Sequence, residues 1–331
     1  MSRIAILYFT DKGAKLGKTL AEKLEGKAQK PLKGGLASLA EKLFHESDAL
    51  IFIGSCGIAV RAIAPLVASK TSDPAVIAMD EQGKHVISLL SGHIGGANDL
   101  ARRIAGYTGG EAVITTATDV NRRFSIDAWA TENGCVLDSM ESAKAYAAAI
   151  LQRDLPLVSD YEICGNLPAG VFLGSEGGCG AVVSVKSDAV PFDITLRLIP
   201  RILHVGIGCK RGTPARKISE AVDYALSVNG IDRRAVKAMA SIDVKEDEQG
   251  FRAYCRENRL PVRFYSAQEL QSVEGEFSHS ERVFKEVGVG NVCDRAAMCS
   301  AGKNAELIVK KTVLNGVTVG IAQEKWSVAF E

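Results

Sequence analysis

Residues 3–24, RIAILYFTDKGAKLGKTLAEKL, decide the fold. An apolar run over 3–9 reads as a strand, and from residue 12 the apolar positions recur at helical spacing, with Leu16 and Leu20 on one face. A strand that hands over directly to a helix is a βα unit, and the pattern repeats down the chain. Helices are expected over 36–44 and 58–67, and strands over 49–54, 75–79 and 85–90. A helix over 96–105 and a strand over 112–116 complete the series. Alternation of this kind predicts a mainly parallel sheet with helices on both faces.

From residue 125 the texture changes. An amphipathic stretch and an Ala-rich helix over 140–151 precede short apolar runs set among Gly, Pro and Asp: LPLVS, GVFLG, GAVVSV and DITLRLI. These predict a smaller β-rich piece built of hairpins. A second βα series opens at residue 202, with helices over 214–228, 246–257 and 292–300. The expected fold class is therefore α/β: two α/β domains with mainly parallel sheets flanked by helices (1–124 and 201–331), joined by a middle region (125–200). No repeat relates the two halves.

The 331 residues carry a net charge of +1, which leaves no global field to draw nucleic acid or an acidic membrane. No segment approaches the roughly 18 uninterrupted apolar residues of a membrane span, and MSRIAILYFT lacks the features of a secretory leader. A cytoplasmic location is expected. The eight cysteines include no C-x-x-C pair and no zinc-site spacing, so reduced thiols and no bound metal are expected.

Five stretches could carry chemistry. GAKLGKT (13–19) is one residue short of the G-x-x-x-x-G-K phosphate loop and reads as plain helix. GIGCKRG (206–212) follows a strand and leads to Thr213 and Pro214, a favourable N-cap and first helical residue, so it suits an anion. It departs from the dinucleotide fingerprint by one residue and lacks the acidic ribose partner. SGHIGGAND (91–99) puts His93 among glycines where a strand meets a helix, the place where such folds bind ligands. TTATDVN (115–121) brings Asp119 to the end of the next strand, either to meet His93 or to cap a helix. GSCGIAVR (54–61) ends an earlier strand, on the expectation that it shares the same rim, and offers the Gly57 and Ile58 amides and the Arg61 guanidinium. No G-x-S-x-G elbow is present, so a base-activated water is expected in place of a serine nucleophile.

Taken together, GIAVRAIAP, the run from LLSGHIGGANDLA into VITTATD, and HVGIGCKRGTP…SIDVKEDEQG…VGVGNVCDRAAM resemble the CbiG family, the cobalt-precorrin-5A hydrolases of anaerobic cobalamin biosynthesis. The likeness runs from about residue 48 to 323. It implies an N-terminal α/β domain, a variable middle and a C-terminal domain like the separate protein CobE. The implied reaction opens a δ-lactone of cobalt-precorrin-5A and expels carbon C20 with its methyl group as acetaldehyde. No organic cofactor is implied, and cobalt arrives within the substrate. Where the motif leads one to expect Glu, this chain has Asp294, to which no role is assigned.

On this reading His93 is the expected general base, oriented by Asp119, with oxyanion donors in the Gly95–Gly96 or Gly57–Ile58 turns. Ser91, Gly92, Gly95, Gly96 and Asn98 form the expected substrate loop. Arg61, Lys210 and Arg211, with Gly206, Gly208 and Cys209, are expected to hold the carboxylates of the corrinoid periphery. A corrinoid carrier without catalysis and an NAD(P)-dependent oxidoreductase using GIGCKRG are the alternatives. Homodimerisation and contact with neighbouring pathway enzymes stay open.

Overall fold

The structure is a computed structural model that describes residues 3–69 and 72–330. The chain divides into two compact units, residues 3–131 with 150–152, and residues 132–149 with 153–330. No helix among the described residues is long and apolar enough to cross a membrane.

The first unit is a six-stranded sheet in the order β2-β1-β3-β4-β5-β6. Its strands are β1 (Ile4–Tyr8), β2 (Lys27–Gln29), β3 (Ala49–Ile53), β4 (Ala75–Met79), β5 (His85–Leu90) and β6 (Glu111–Val113). Side chains alternate between two buried faces. Ile6, Ile51 and Ile77 pack with Leu20 of α1 (Asp11–Lys23) and with Leu100 and Ile104 of α4 (Ala97–Thr108). Leu7, Leu50, Phe52 and Val76 pack with Phe44 of α2 (Leu36–Glu46) and Ile63 of α3 (Cys56–Ile63). GAKLGKT lies wholly inside α1, whose N-cap Thr10 accepts the Gly13 amide at 3.0 Å. It is plain helix.

Strands β1 to β4 run parallel, but β5 is antiparallel to β4 while β6 is parallel to β5. The cause is local. Residues 80–84 are too few for a parallel crossover, which needs a dozen or more. Asp80 fastens them into a turn by accepting the amides of Gln82, Lys84 and His85, with Gly83 at φ 74°. The carboxyl ends of β5 and β6 therefore emerge beside the start of β4, at the edge opposite the carboxyl ends of β1 and β3. Short helices α5 (Ala117–Val120) and α6 (Ile126–Glu132) follow β6.

The second unit holds two five-stranded sheets. One has the order β10-β8-β11-β12-β7, from β7 (Cys135–Leu137), β8 (Leu155–Ser159), β10 (Val171–Leu173), β11 (Cys179–Val183) and β12 (Ile194–Pro200). Its pairings are parallel except for β7 against β12. The hairpins expected here are thus absent. Apolar alternation reads the same in either strand direction, and β10 returns alongside β8 in the same sense after the connection 160–170. Helix α7 (Met140–Ile150) follows β7, and β9 (Ile163–Cys164) pairs with β18 (Val328–Ala329) near the end of the chain.

The other sheet has the order β15-β14-β13-β17-β16. It comprises β13 (Leu203–Gly208), β14 (Val236–Ile242), β15 (Val262–Tyr265), β16 (Glu306–Leu314) and β17 (Val317–Gln323). Pairings are parallel from β13 to β15 and antiparallel from β13 to β16. Asn315 and Gly316, at φ 52° and 80°, make the tight turn between β16 and β17. Helices α8 (Ala215–Val228), α9 (Gln249–Glu257), α10 (Ala267–Gln271), α11 (Glu281–Val287) and α12 (Cys293–Ala301) cover this sheet. One core joins the two sheets, since Val185 and Ile199 pack with Leu203, Val205, Ile218 and Val222.

Candidate functional site

The loop after β5 is closed by its own backbone. Gly96 donates its amide to the His93 carbonyl at 2.8 Å, Ala97 to Ser91 at 3.1 Å and Asn98 to Gly92 at 2.9 Å. Ser91 takes φ 56° and its hydroxyl donates to the Asp73 carbonyl at 3.0 Å. Gly96, the N-cap of α4, needs its left-handed φ of 77°. Gly92 and Gly95 are glycine because the loop folds onto itself. A Cβ on Gly95 would stand 2.4 Å from Ser91 Cβ, and one on Gly92 2.8 Å from Asn98 Oδ1. The amides of Ile94 and Gly95 make no hydrogen bond to other described residues.

This tight turn presents His93 to two carboxylates. Because β6 runs parallel beside β5, α5 delivers Asp119 to the same edge, and α6 adds Asp127. His93 Nε2 lies 2.9 Å from Asp119 Oδ2 and 3.2 Å from Thr118 Oγ1, while Nδ1 lies 3.2 Å from Asp127 Oδ1. The three charged side chains are only 15–18% exposed. Asp119 also accepts Asn98 Nδ2 at 2.9 Å and the Arg102 guanidinium. Asn98 is itself buried, and its Oδ1 has no partner.

The electrostatic consequence is clear. The hydrogen bond to Asp127 raises the His93 pKa above its ordinary 6.5; burial opposes this, and Asp119 reinforces it. For Asp119, burial works upward, but the bonds from His93 and Arg102 override it and hold the carboxyl below its ordinary range. Two carboxylates, one on each ring nitrogen, favour the protonated, doubly donating imidazolium over the neutral ring. That preference bears on the general-base role expected for His93, since a protonated ring must first lose its proton to act as one.

The sequence-expected residues divide between two edges. His93, Asp119, Ser91, Gly92, Gly95, Gly96 and Asn98 come together. Asp119 lies inside α5, whose N-cap is Thr116, and is not a cap. Gly57, Ile58 and Arg61 lie at the start of α3, after the carboxyl end of β3, and so at the opposite edge of the sheet. The shared rim expected for them is corrected by the β4–β5 hairpin. Asp127 was missed. Its signal is the Ser125-x-Asp127 pair at a helix start, where the Ser125 hydroxyl donates to the carboxylate at 2.9 Å.

In the second unit, the glycines of GIGCKRG also serve packing. A Cβ on Gly206 would stand 1.8 Å from the Cys293 carbonyl oxygen, and one on Gly208 2.5 Å from Thr318 Oγ1. The loop's own anion is Glu248, which accepts the Gly212 amide at 2.9 Å. Thr213 donates to the Lys210 carbonyl at 2.7 Å and does not cap α8; Pro214 holds the N-cap position and Ala215 the first helical one. Burial raises the Cys209 thiol pKa. Lys210 and Arg211 are exposed. Asp294 is buried against Gly320 and accepts Asn291 Nδ2 at 2.8 Å. A Cβ on Gly320 would stand 2.2 Å from Asp294 Oδ1, so the shorter acid is packed tightly at this point.

Comparison with known proteins matches both units. Residues 38–119 match the family described as cobalamin synthesis G N-terminal, and residues 203–322 the family described as cobalamin synthesis G C-terminus. The chain is 37% identical over 317 residues to a protein named cobalt-precorrin-5A hydrolase from Salmonella typhimurium strain LT2, covering 89% of this chain and 90% of that relative. It is 32% identical over 308 residues to the protein of the same name from Priestia megaterium, covering 87% and 82%. Protein CobE from a Sinorhizobium species is 32% identical over 121 residues, which cover 36% of this chain and 79% of that protein. The chain belongs to the cobalamin synthesis G family.

Proposed function

We propose that this chain is a cobalt-precorrin-5A hydrolase, opening the substrate's δ-lactone and releasing acetaldehyde, with His93 as its proton carrier. The family relationship supports the substrate and the reaction. The observation that carries the mechanism is the His93 imidazole held between Asp119 and Asp127. The reading uses no organic cofactor and no metal of the enzyme's own, because the cobalt belongs to the substrate.

Water adds to the lactone carbonyl and releases one of its protons to solvent, and the amides of Ile94 and Gly95 are the donors open to the developing oxyanion. The acyl–oxygen bond then breaks, and the oxygen on C20 takes the proton of the His93 imidazolium. The new carboxylic acid gives up its proton to solvent. In the second step the C20 hydroxyl returns a proton to the now neutral His93. The bond from C20 to the macrocycle breaks, its electron pair stays on the ring carbon, and C20 leaves with its methyl group as acetaldehyde. Asp119, clamped by Arg102 and Asn98, orients the ring throughout. Asp127, at the longer 3.2 Å, is the partner that gives way to substrate.

The pH profile of acetaldehyde release tests this order of proton transfer. A donor-first His93 must begin protonated. Its raised pKa then sets an alkaline limb, with turnover falling as pH rises through that value, above 6.5. Loss of turnover on the acid side of 6.5, with a flat alkaline side, would restore the base-first role. A dinucleotide-dependent reaction has no support in GIGCKRG, where Gly206 packs on α12 and Gly212 serves Glu248.

A further inference from the structure

The second unit carries a cavity that the proposed chemistry leaves unused. It encloses about 450 Å³ beside the ends of β13 and β14, between the 208–211 loop, α11 and the start of α12. Ile242, Val287 and Val292 give it an apolar lining. Five cationic side chains also line it, against the single carboxylate of Glu286, in a chain whose net charge is only +1.

Those cations are not equivalent. Lys245 and Arg211 both lean on Glu248, at 3.6 and 3.7 Å. Arg282 is paired with Glu286 at 3.2 Å. Lys210 and Lys311 have no ion pair with any described residue. An apolar lining with two uncompensated ammonium groups suits an anionic ligand that is flat and partly hydrophobic. The amide of Gly212 is already taken by Glu248, so such a ligand is read by side chains and not by a backbone cradle.

We infer that this cavity is a carboxylate-reading subsite for one edge of a tetrapyrrole, with Lys210 and Lys311 taking its peripheral acetates and propionates. The identity of the ligand rests on the proposed function; the cavity and its charges do not. At about 450 Å³ it admits a ring edge and not a whole macrocycle.

Uroporphyrin, an octacarboxylate tetrapyrrole with no lactone, is the probe, titrated into the full chain by its fluorescence. Binding should weaken about fivefold in each of Lys210→Gln and Lys311→Gln, and at least about twentyfold in the double variant, in keeping with the modest strength of solvent-exposed ion pairs. Lys42→Gln on α2, far along the chain in the other unit, should bind as the parent does. Added salt should weaken the parent more than the double variant. Failure to bind uroporphyrin, or equal binding by parent and double variant, overturns the inference. With cobalt-precorrin-5A as substrate, the double variant should show a raised KM. If acetaldehyde is released with an unchanged KM, the subsite fails and the hydrolase reading stands. If uroporphyrin binds through the two lysines but cobalt-precorrin-5A yields no acetaldehyde, the hydrolase reading fails and the subsite stands.

Discussion

Asp127→Asn removes one charge from the His93 cluster while keeping the shape of the side chain. In the parent, Asp127 accepts His93 Nδ1 at 3.2 Å, the Ser125 hydroxyl at 2.9 Å and the Ala128 amide at 3.1 Å. Hydrogen bonds to charged groups contribute about 1.5–3 kcal/mol. The His93 bond is long and the pair slightly exposed, so the lower end applies, about 1.5 kcal/mol or roughly tenfold in the folding equilibrium. The sign with pH follows from the raised His93 pKa. Its stabilisation is fully present below 6.5 and is lost as pH rises through the folded value. The gap between parent and Asp127→Asn should therefore be widest near pH 6 and should close toward pH 9. Urea unfolding, followed by the buried Trp129 of α6 in a Trp326→Phe background, reads this gap in the first unit. With only five histidines in the chain, an NMR titration resolves His93 directly, and its midpoint should move down in the variant. An equal gap at both pH values, or a His93 midpoint that stays put, would refute the ion-pair account.

Two predictions concern the second unit. Gly206→Ala puts a methyl against the Cys293 carbonyl and should cost about 2–3 kcal/mol of stability by urea unfolding, whereas a ligand-binding glycine would leave stability unchanged. Asp232 is buried, which alone would raise its pKa, but Arg234 and Arg197 hold it at about 2. Its contribution, about 2 kcal/mol, is present above its unfolded pKa and is lost as pH falls from about 4 to 2. Asp232→Asn should remove that stabilisation at neutral pH and flatten the acid limb of thermal unfolding over this interval.

Much of the architecture was legible because strand and helix periods differ and the first unit buries both sheet faces. Residues 3–24 announced their strand and helix, and GAKLGKT behaved as the helix its spacing required. Strand direction was harder. Residues 75–79 and 85–90 were each visible as strands, yet only the shortness of 80–84 betrays the hairpin that reverses β5 and β6. That reversal separates Arg61 from His93. The parallel pairings of the middle region were hidden for the same reason, since a short apolar run carries no mark of its neighbour's direction.

At the site, His93 and Asp119 were legible as polar residues at strand ends, and their meeting depended on β5 and β6 being parallel neighbours. Asp127 was hidden because it sits in a stretch that reads only as amphipathic helix. The glycines read in two ways. Their cluster suggested close approach of a ligand, and Gly92, Gly95, Gly206 and Gly208 are in addition held to glycine by the protein's own atoms. Which atoms a glycine faces is a fact of tertiary packing, and one sequence does not contain it.

Acetaldehyde released when the full chain meets cobalt-precorrin-5A under anaerobic conditions tests the central claim, with His93→Gln measured alongside. The account predicts one acetaldehyde per substrate for the parent, and a rate about 10²–10⁴ lower for the variant with its fold intact, the usual contribution of a positioned proton donor. Substrate bound by the parent without acetaldehyde would contradict the hydrolase reading. Undiminished release by the variant would contradict the role given to His93.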